Sequence, residues 1–422
     1  MNVVILSDTG IVNGGAAKVA LDGAQSMARA GHRVELVCGA GEPGPELKNI
    51  PGLTTHRIND FDVLEDPNRL RAFANGWWNP RSYRYVADLL DSLERENTVV
   101  HVHSWTKALS SSAIRAAWER GFEIVATLHD YLLACPTGTR FLQDKLEKCH
   151  LRPMSLECIG TNCDMRSYPQ KLWRVGRHLI QDQFGGIPSR VRNFIVISRL
   201  AQELLRPHLP ADAVFHFVPN AIDVDPYDPA PVDEHEEFLF LGRITPEKGA
   251  VLFAKAAAAE SVRCRFIGDG MARAAVLEAN PHAKLEGWMN HSDGLRALRQ
   301  ARALVFPSLW YETLGLVVLE AAANGVPSIV PDECAARESV EDGVTGLYFR
   351  SGDEADLRRK LAILKDPETA ARMGRAAYER FWAPPGHSVD LHRSRLEAAY
   401  TRILSPHHEP LNKHMTVPAN AL

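Results

Sequence analysis

Two doubly wound α/β domains facing a cleft are the fold class this sequence predicts, and three observations predict them. The chain has 422 residues, 45% hydrophobic and 24% charged, enough for two or three domains of ordinary soluble composition. Apolar runs of strand length alternate with amphipathic helical stretches in both halves, the pattern of parallel sheets covered on both faces. Between the halves, residues 224–237 hold three prolines and six acids, a linker composition. A net charge of −4 gives no reason to expect nucleic acid as a partner. No apolar run reaches membrane-spanning length, and residues 1–5 enter a strand directly, so no signal peptide is expected. Seven cysteines in so long a chain argue against a secreted disulfide scaffold. The expected location is the cytoplasm.

Residues 3–7 read as a buried strand, followed by the loop 8–15, a helix from about 16 to 29 and a strand at 32–37. That opening invites a dinucleotide-binding reading, which fails twice. The loop holds Gly10, Gly14 and Gly15 rather than the tight three-glycine spacing, and the second strand ends Val37-Cys38-Gly39 without an acid for a ribose. Gly14 and Gly15 alone fit an ordinary tight turn. From 43 to 78 the patterning is poor and loops with short elements are expected. Residues 75–85 mix tryptophans and tyrosines with arginines, which suits a membrane interface, an acceptor-binding rim or a partly buried helix start. Strands follow at 99–103 and 124–128, with a helix at 109–118 between them. The second of these delivers His129 and Asp130 at its C-terminal end, where open α/β sheets build their sites.

Cys135, Cys149, Cys158 and Cys163 then fall within 29 positions, and none of the other three cysteines is near. Zinc takes four soft ligands, usually with one close pair. Cys158 and Cys163 form such a pair at the loose limit, with His150 as a substitute ligand. One structural zinc on the four cysteines is the expected cofactor; reduced thiols and a disulfide or redox role are the alternatives. Residues 140–192 carry ten Lys/Arg against five Asp/Glu, a basic stretch suited to an anionic lipid or membrane surface, or simply a solvated face.

A strand at 194–198, a helix through 205 and a strand ending at 218 close the first half. The second begins with a strand at 238–241 and the loop 242–249, which presents Arg243 and Lys248 beside glycine turns. Two cations five residues apart suit a diphosphate, Arg as a bidentate fork and Lys as a point charge. Strands at 264–267 and from 285 lead into Gly268, Gly270 and Met289. Residues 303–331 form the most informative unit: strand, loop, helix, strand. Its amides from Thr313 through Leu314 and Gly315 to Leu316 stand free at a helix N-terminus, a ready anion site. Glu312 lies just outside that helix, and Glu320 interrupts its apolar run. Pro384-Pro385-Gly386 breaks the chain before a final helix at 390–404, and 406–422 reads as a disordered tail.

Glu312-x7-Glu320, set in PSLWYETLGLVVLEAAANGVP, resembles the donor-binding motif of retaining glycosyltransferases of family 4, which have the GT-B fold. The resemblance covers nearly the whole chain and is weakest at 43–99 and across the cysteines. It implies an N-terminal acceptor-side domain (1–222), a linker (223–237), a C-terminal nucleotide-sugar domain (238–384) and a last helix (385–405) returning to the first domain. It implies transfer of a hexose from a nucleotide-diphosphate sugar to a glycan or lipid-linked acceptor, without a catalytic metal, at the inner face of a membrane or in the cytoplasm. Cell-surface polysaccharide synthesis is the expected setting. His129 and Glu312 would meet the donor sugar, and Arg243 and Lys248 the diphosphate. Glu320 would hold the ribose. Gly14 and Gly15 would lie at the phosphates, and Gly268, Gly270 and Met289 at the base. A silent nucleotide-sugar-binding subunit or a GT-B epimerase are the alternatives.

Overall fold

The computed structural model describes residues 1–405, so the expected tail lies outside the described residues. The first half is built on β1 (Asn2–Thr9), β2 (Arg33–Ala40), β3 (Leu53–Arg57), β4 (Thr98–Val102) and β5 (Glu123–Thr127). After a small antiparallel hairpin, β6 (Phe141–Leu142) and β7 (Glu147–Lys148), it continues with β8 (Asn193–Val196) and β9 (Val214–Phe217). The seven strands other than the hairpin form one sheet, ordered β3-β2-β1-β4-β5-β8-β9 and parallel throughout. Val3, Val4, Ile5 and Leu6 are all buried, as a strand covered on both faces requires. The covering helices are α1 (Gly15–Arg29), α2 (Arg69–Trp77), α3 (Pro80–Leu90), α4 (Ser112–Glu119), α5 (Leu156–Gly160), α6 (Tyr168–Gln183) and α7 (Arg199–Leu205).

The second half holds β10 (Phe238–Leu241), β11 (Cys264–Ile267), β12 (Lys284–Leu285), β13 (Ala303–Val305), β14 (Ser328–Pro331) and β15 (Gly346–Phe349), a parallel sheet ordered β12-β11-β10-β13-β14-β15. Around it lie α8 (Ala250–Ala259), α9 (Arg273–Ala279), α10 (His291–Leu298), α11 (Leu316–Ala323), α12 (Glu354–Leu364) and α13 (Pro367–Trp382). The last helix, α14 (Val389–Leu404), crosses back. Its Leu396, Tyr400 and Ile403 pack with Val3, Ile5 and Leu21 of the first half. Where the halves meet, Ile197 and Ile222 pack against Leu314, Leu319 and Phe381.

The poorly patterned stretch 43–78 contains more order than expected. β3 pairs with β2 through five residues, although its own side chains are half-exposed; neighbouring backbone supplies what an apolar run would have signalled. α2 is capped by the Asn68 side chain, which accepts from the Arg71 amide. α3 is capped by Asn79, with Pro80 at its first position. The tryptophan-rich junction is thus a pair of capped helix starts, with Trp77 Nε1 donating to the carbonyl of Trp173 on α6.

Candidate active site

A parallel sheet has its C-terminal strand ends on one edge, and a crevice opens where the strand order reverses. In the second sheet the reversal lies between β10 and β13. Lys248, from the loop after β10, and Glu312, from the loop after β13, meet there with Nζ 2.5 Å from Oε1. Ser308 Oγ donates to the same carboxylate oxygen at 2.6 Å, and the ammonium lies 5.1 Å from the centre of the Trp310 ring. Burial pushes the Glu312 carboxyl up, but the Lys248 charge and the bonds from Lys248 and Ser308 outweigh it and hold it below its usual range. Arg243 is differently placed. Its guanidinium is 66% exposed and only 3.9 Å from Glu247 Oε1, so it is the cation open to a ligand.

Gly315 caps α11 with φ 109°, and a Cβ there would stand 2.8 Å from that of Ala336. Only glycine fits such a turn. Among the described residues the amides of Thr313, Leu314, Gly315 and Leu316 meet no acceptor, so four successive free donors stand at the positive end of α11. Gly268 has φ 136°, and a Cβ would lie 1.9 Å from the carbonyl oxygen of Gly242, which keeps the loops after β10 and β11 in backbone contact. Gly270 and Met289 border this edge; the Gly268 amide donates to the Gly287 carbonyl at 2.7 Å, and Met289 packs half-buried against the core.

The first half faces these groups from its own reversal, between β1 and β4. Gly14 has an extended φ of 166° with open space around it, so its backbone conformation does not demand glycine. Gly15 points across the cleft: a Cβ would meet Leu316 Cδ1 at 3.1 Å. His129, after β5, is half-buried, and its carbonyl accepts from Thr313 Oγ1 at 2.8 Å. Burial pushes the imidazole down to about 4, so it is neutral near neutral pH. Glu320 lies apart from Glu312, in a narrow cavity between the halves that Lys18, Asp223 and Leu316 also line. There it bonds His291 Nε2 at 2.9 Å.

The four cysteines converge as free thiols, three buried and Cys149 half-buried. Burial raises the Cys149 thiol, and the neighbouring Cys135, Cys163 and Cys158 add to the rise. The buried ammonium of Lys171 stands 2.9 Å from Cys163 Sγ and 3.9 Å from Cys158 Sγ. Among the described residues no three His, Cys, Asp or Glu side chains stand as a metal ion would need them. The hairpin between Cys135 and Cys158 reaches the second half. Lys148 Nζ lies 2.6 Å from Glu333 Oε2 and 2.9 Å from Ser351 Oγ, and 5.2 Å from the centre of the Tyr311 ring.

Sequence reasoning missed several participants. His291 begins α10 like any polar helix start, and only the fold sets it on Glu320. Trp288 and Met271, 78% and 69% exposed, flank the Gly268–Gly287 bridge; a large apolar residue beside each glycine turn was the available signal. His101 in β4 and His103 just after it signalled nothing beyond a strand. No helix among the described residues is long and apolar enough to cross a membrane.

Comparison with known proteins matches this geometry. The profile described as Glycosyltransferase Family 4 covers residues 13–226, and that described as Glycosyl transferases group 1 covers 225–380. An alpha-maltose-1-phosphate synthase of Mycobacterium tuberculosis is 26% identical over 67% of this chain and 74% of that protein. An alpha-D-kanosaminyltransferase of Streptomyces kanamyceticus is 32% identical over 35% of this chain, spanning 41% of that protein. Among solved structures, a sucrose-phosphate synthase of Thermosynechococcus elongatus superposes with TM-score 0.69 at 18% identity, covering 95% of this chain and 98% of that one. The Anabaena protein HepE, in complex with UDP and glucose, superposes with TM-score 0.64 at 17% identity, covering 95% and 99%. At these identities the structural likeness shows the fold. The sequence profiles show the family: the chain belongs to glycosyltransferase family 4, and its two facing sheets with a returning last helix are the GT-B arrangement.

Proposed function

We propose that the protein is a retaining glycosyltransferase that moves a hexose from a nucleotide-diphosphate sugar to a hydroxyl of a glycan or lipid-linked saccharide in cell-surface polysaccharide synthesis. The observation that carries this reading is the Lys248–Glu312 pair at the second sheet's reversal, tied to His129 across the cleft by the Thr313 hydroxyl. When the sugar C1–O bond breaks, negative charge develops on the nucleoside diphosphate. Arg243, Lys248 and the free amides before α11 are placed to offset it, without assigning that task to a metal. Glu312 and His129 then border the sugar. The acceptor oxygen bonds C1 from the face the phosphate leaves, and its proton passes to the departing phosphate oxygen.

The HepE complex makes a uridine nucleotide the first donor to test. A lipid-linked acceptor draws support from a run of exposed apolar residues on the first half: Leu70 (84%) and Phe73 (50%) on α2, Leu172 (42%) and Leu179 (51%) on α6. Such a face suits a membrane interface, and sedimentation with anionic vesicles checks it. Activity is tested by turnover of UDP-hexoses with and without a saccharide acceptor, with the product anomer read by proton NMR. Acceptor-dependent transfer with retained configuration is expected. Turnover without acceptor would indicate an epimerase, and tight binding without turnover a silent subunit; either would overturn the proposal.

A further inference from the structure

A chain of buried rings runs from the returning helix to His129. Tyr400 of α14 has its hydroxyl 2.6 Å from His101 Nδ1. His101 Nε2 lies 2.6 Å from Thr127 Oγ1. His103 Nε2 lies 3.2 Å from the same His101 Nδ1, and His103 Nδ1 is 2.9 Å from His129 Nε2. Tyr400 and His101 are almost wholly buried, at 0% and 1% exposure. Burial lowers all three imidazoles below the ordinary histidine value, and burial likewise raises the Tyr400 phenol. The rings are neutral and the phenol keeps its proton.

A neutral imidazole has one donor and one acceptor nitrogen, so fixing one ring fixes its neighbours. Two proton arrangements are self-consistent here, running in opposite directions, and the two hydroxyls on His101 choose between them. A phenol O–H is a stronger donor and a weaker acceptor than an aliphatic hydroxyl, as its much lower pKa shows. Tyr400 therefore donates to His101 Nδ1, and His101 Nε2–H donates to Thr127. The single lone pair of His101 Nδ1 is shared between the Tyr400 hydroxyl at 2.6 Å and His103 Nε2 at 3.2 Å. A bare Nε2 there would set two lone pairs against each other, so His103 turns its Nε2–H toward it on the longer arm. His103 Nδ1 is then an acceptor and takes the Nε2–H of His129.

We propose that Tyr400, His101 and His103 are positioning residues that lock His129 in its Nε2–H tautomer, leaving Nδ1 as the ring's single acceptor, able to receive a hydroxyl proton from a bound sugar. The contact with sugar rests on the proposed function; the tautomer does not, and the two can fail separately. Long-range nitrogen–proton NMR on the ligand-free protein, labelled at histidine, reads the tautomer directly. The expected spectrum gives His129 a protonated Nε2 and a bare Nδ1, and the opposite assignment overturns the proposal. Tyr400→Phe keeps the ring but removes the choosing proton, so His129 should show both tautomers; an unchanged single tautomer overturns the role of Tyr400. Under the proposed function, Tyr400→Phe should lower kcat while leaving affinity for UDP unchanged. Mixed tautomers in Tyr400→Phe with no change in kcat would retain the relay and overturn the sugar contact.

Discussion

The two sides of the cleft reach their functions by different routes. On the donor side, the site comes from two short continuous stretches, 242–249 and 306–320, that a parallel sheet brings to one edge. The groups it presents are backbone amides, two cations and two carboxylates. On the facing side, His129 is linked to His101 of β4, to His103 just after it and to a helix about 270 residues further on, with His103 bonded to His129 and Tyr400 bonded to His101. The adjoining wall gathers Cys135 before the hairpin, Cys149 just after it, Cys158 of α5, Cys163 beyond α5 and Lys171 of α6. Local geometry therefore assembles the proposed donor side, whereas the opposing wall exists only once the whole chain has closed.

The largest effect should come from Lys248. Lys248→Ala removes a cation from the leaving group and strands a buried carboxylate. Transfer should fall at least about tenfold, the weight of one charge-assisted contact. Unfolding in urea should show a loss of about 3 kcal/mol, as for a broken buried pair. The pH dependence has a definite sign. The folded pKa of Glu312 is depressed, so the pair's stabilisation is present above the ordinary carboxylate range and is lost as pH falls through the depressed value. In Lys248→Ala burial is opposed by the Ser308 bond but no longer by the Lys248 charge, and the acid limb of activity should move to higher pH. Full activity with an unmoved limb would separate Lys248 from the site. Arg243→Ala sharpens the contrast: its exposed guanidinium should cost about as much transfer and almost no stability.

How much of this was legible follows the same division. Both sheets and the returning helix were readable, because buried parallel strands are continuous apolar runs and glycine turns mark their ends. The sequence suggested Lys248 as a phosphate cation; the structure adds that it holds Glu312. β3 and α2 were not legible, since pairing and caps, not hydrophobic period, maintain them. His101, His103 and Tyr400 drew no reading of their own from the sequence, and their link to His129 is visible only in three dimensions.

A smaller and more local effect is expected at the cysteines. Cys163 and Cys158 flank the Lys171 ammonium, and among the described residues the thiols do not stand as a metal ion would need them; we propose that one structural zinc nonetheless takes this wall by thiolates displacing the ammonium. Elemental analysis of protein purified without added metal should find close to one zinc per chain. Cys158→Ser should lose it, lose transfer and still bind UDP. Metal-free protein with four titratable thiols and full activity would remove zinc from the account and leave the donor side as it stands.

The central claim is that nucleotide recognition resides in the second half, with Glu320 on the ribose and Glu312 on the sugar. Calorimetric titration of UDP into the wild type, Glu320→Ala and Glu312→Ala tests it most directly. Glu320→Ala should bind at least about tenfold more weakly, the loss of one hydrogen bond to a charged group. Glu312→Ala should bind UDP nearly as the wild type does while its kcat falls. Wild-type affinity in Glu320→Ala would contradict the account.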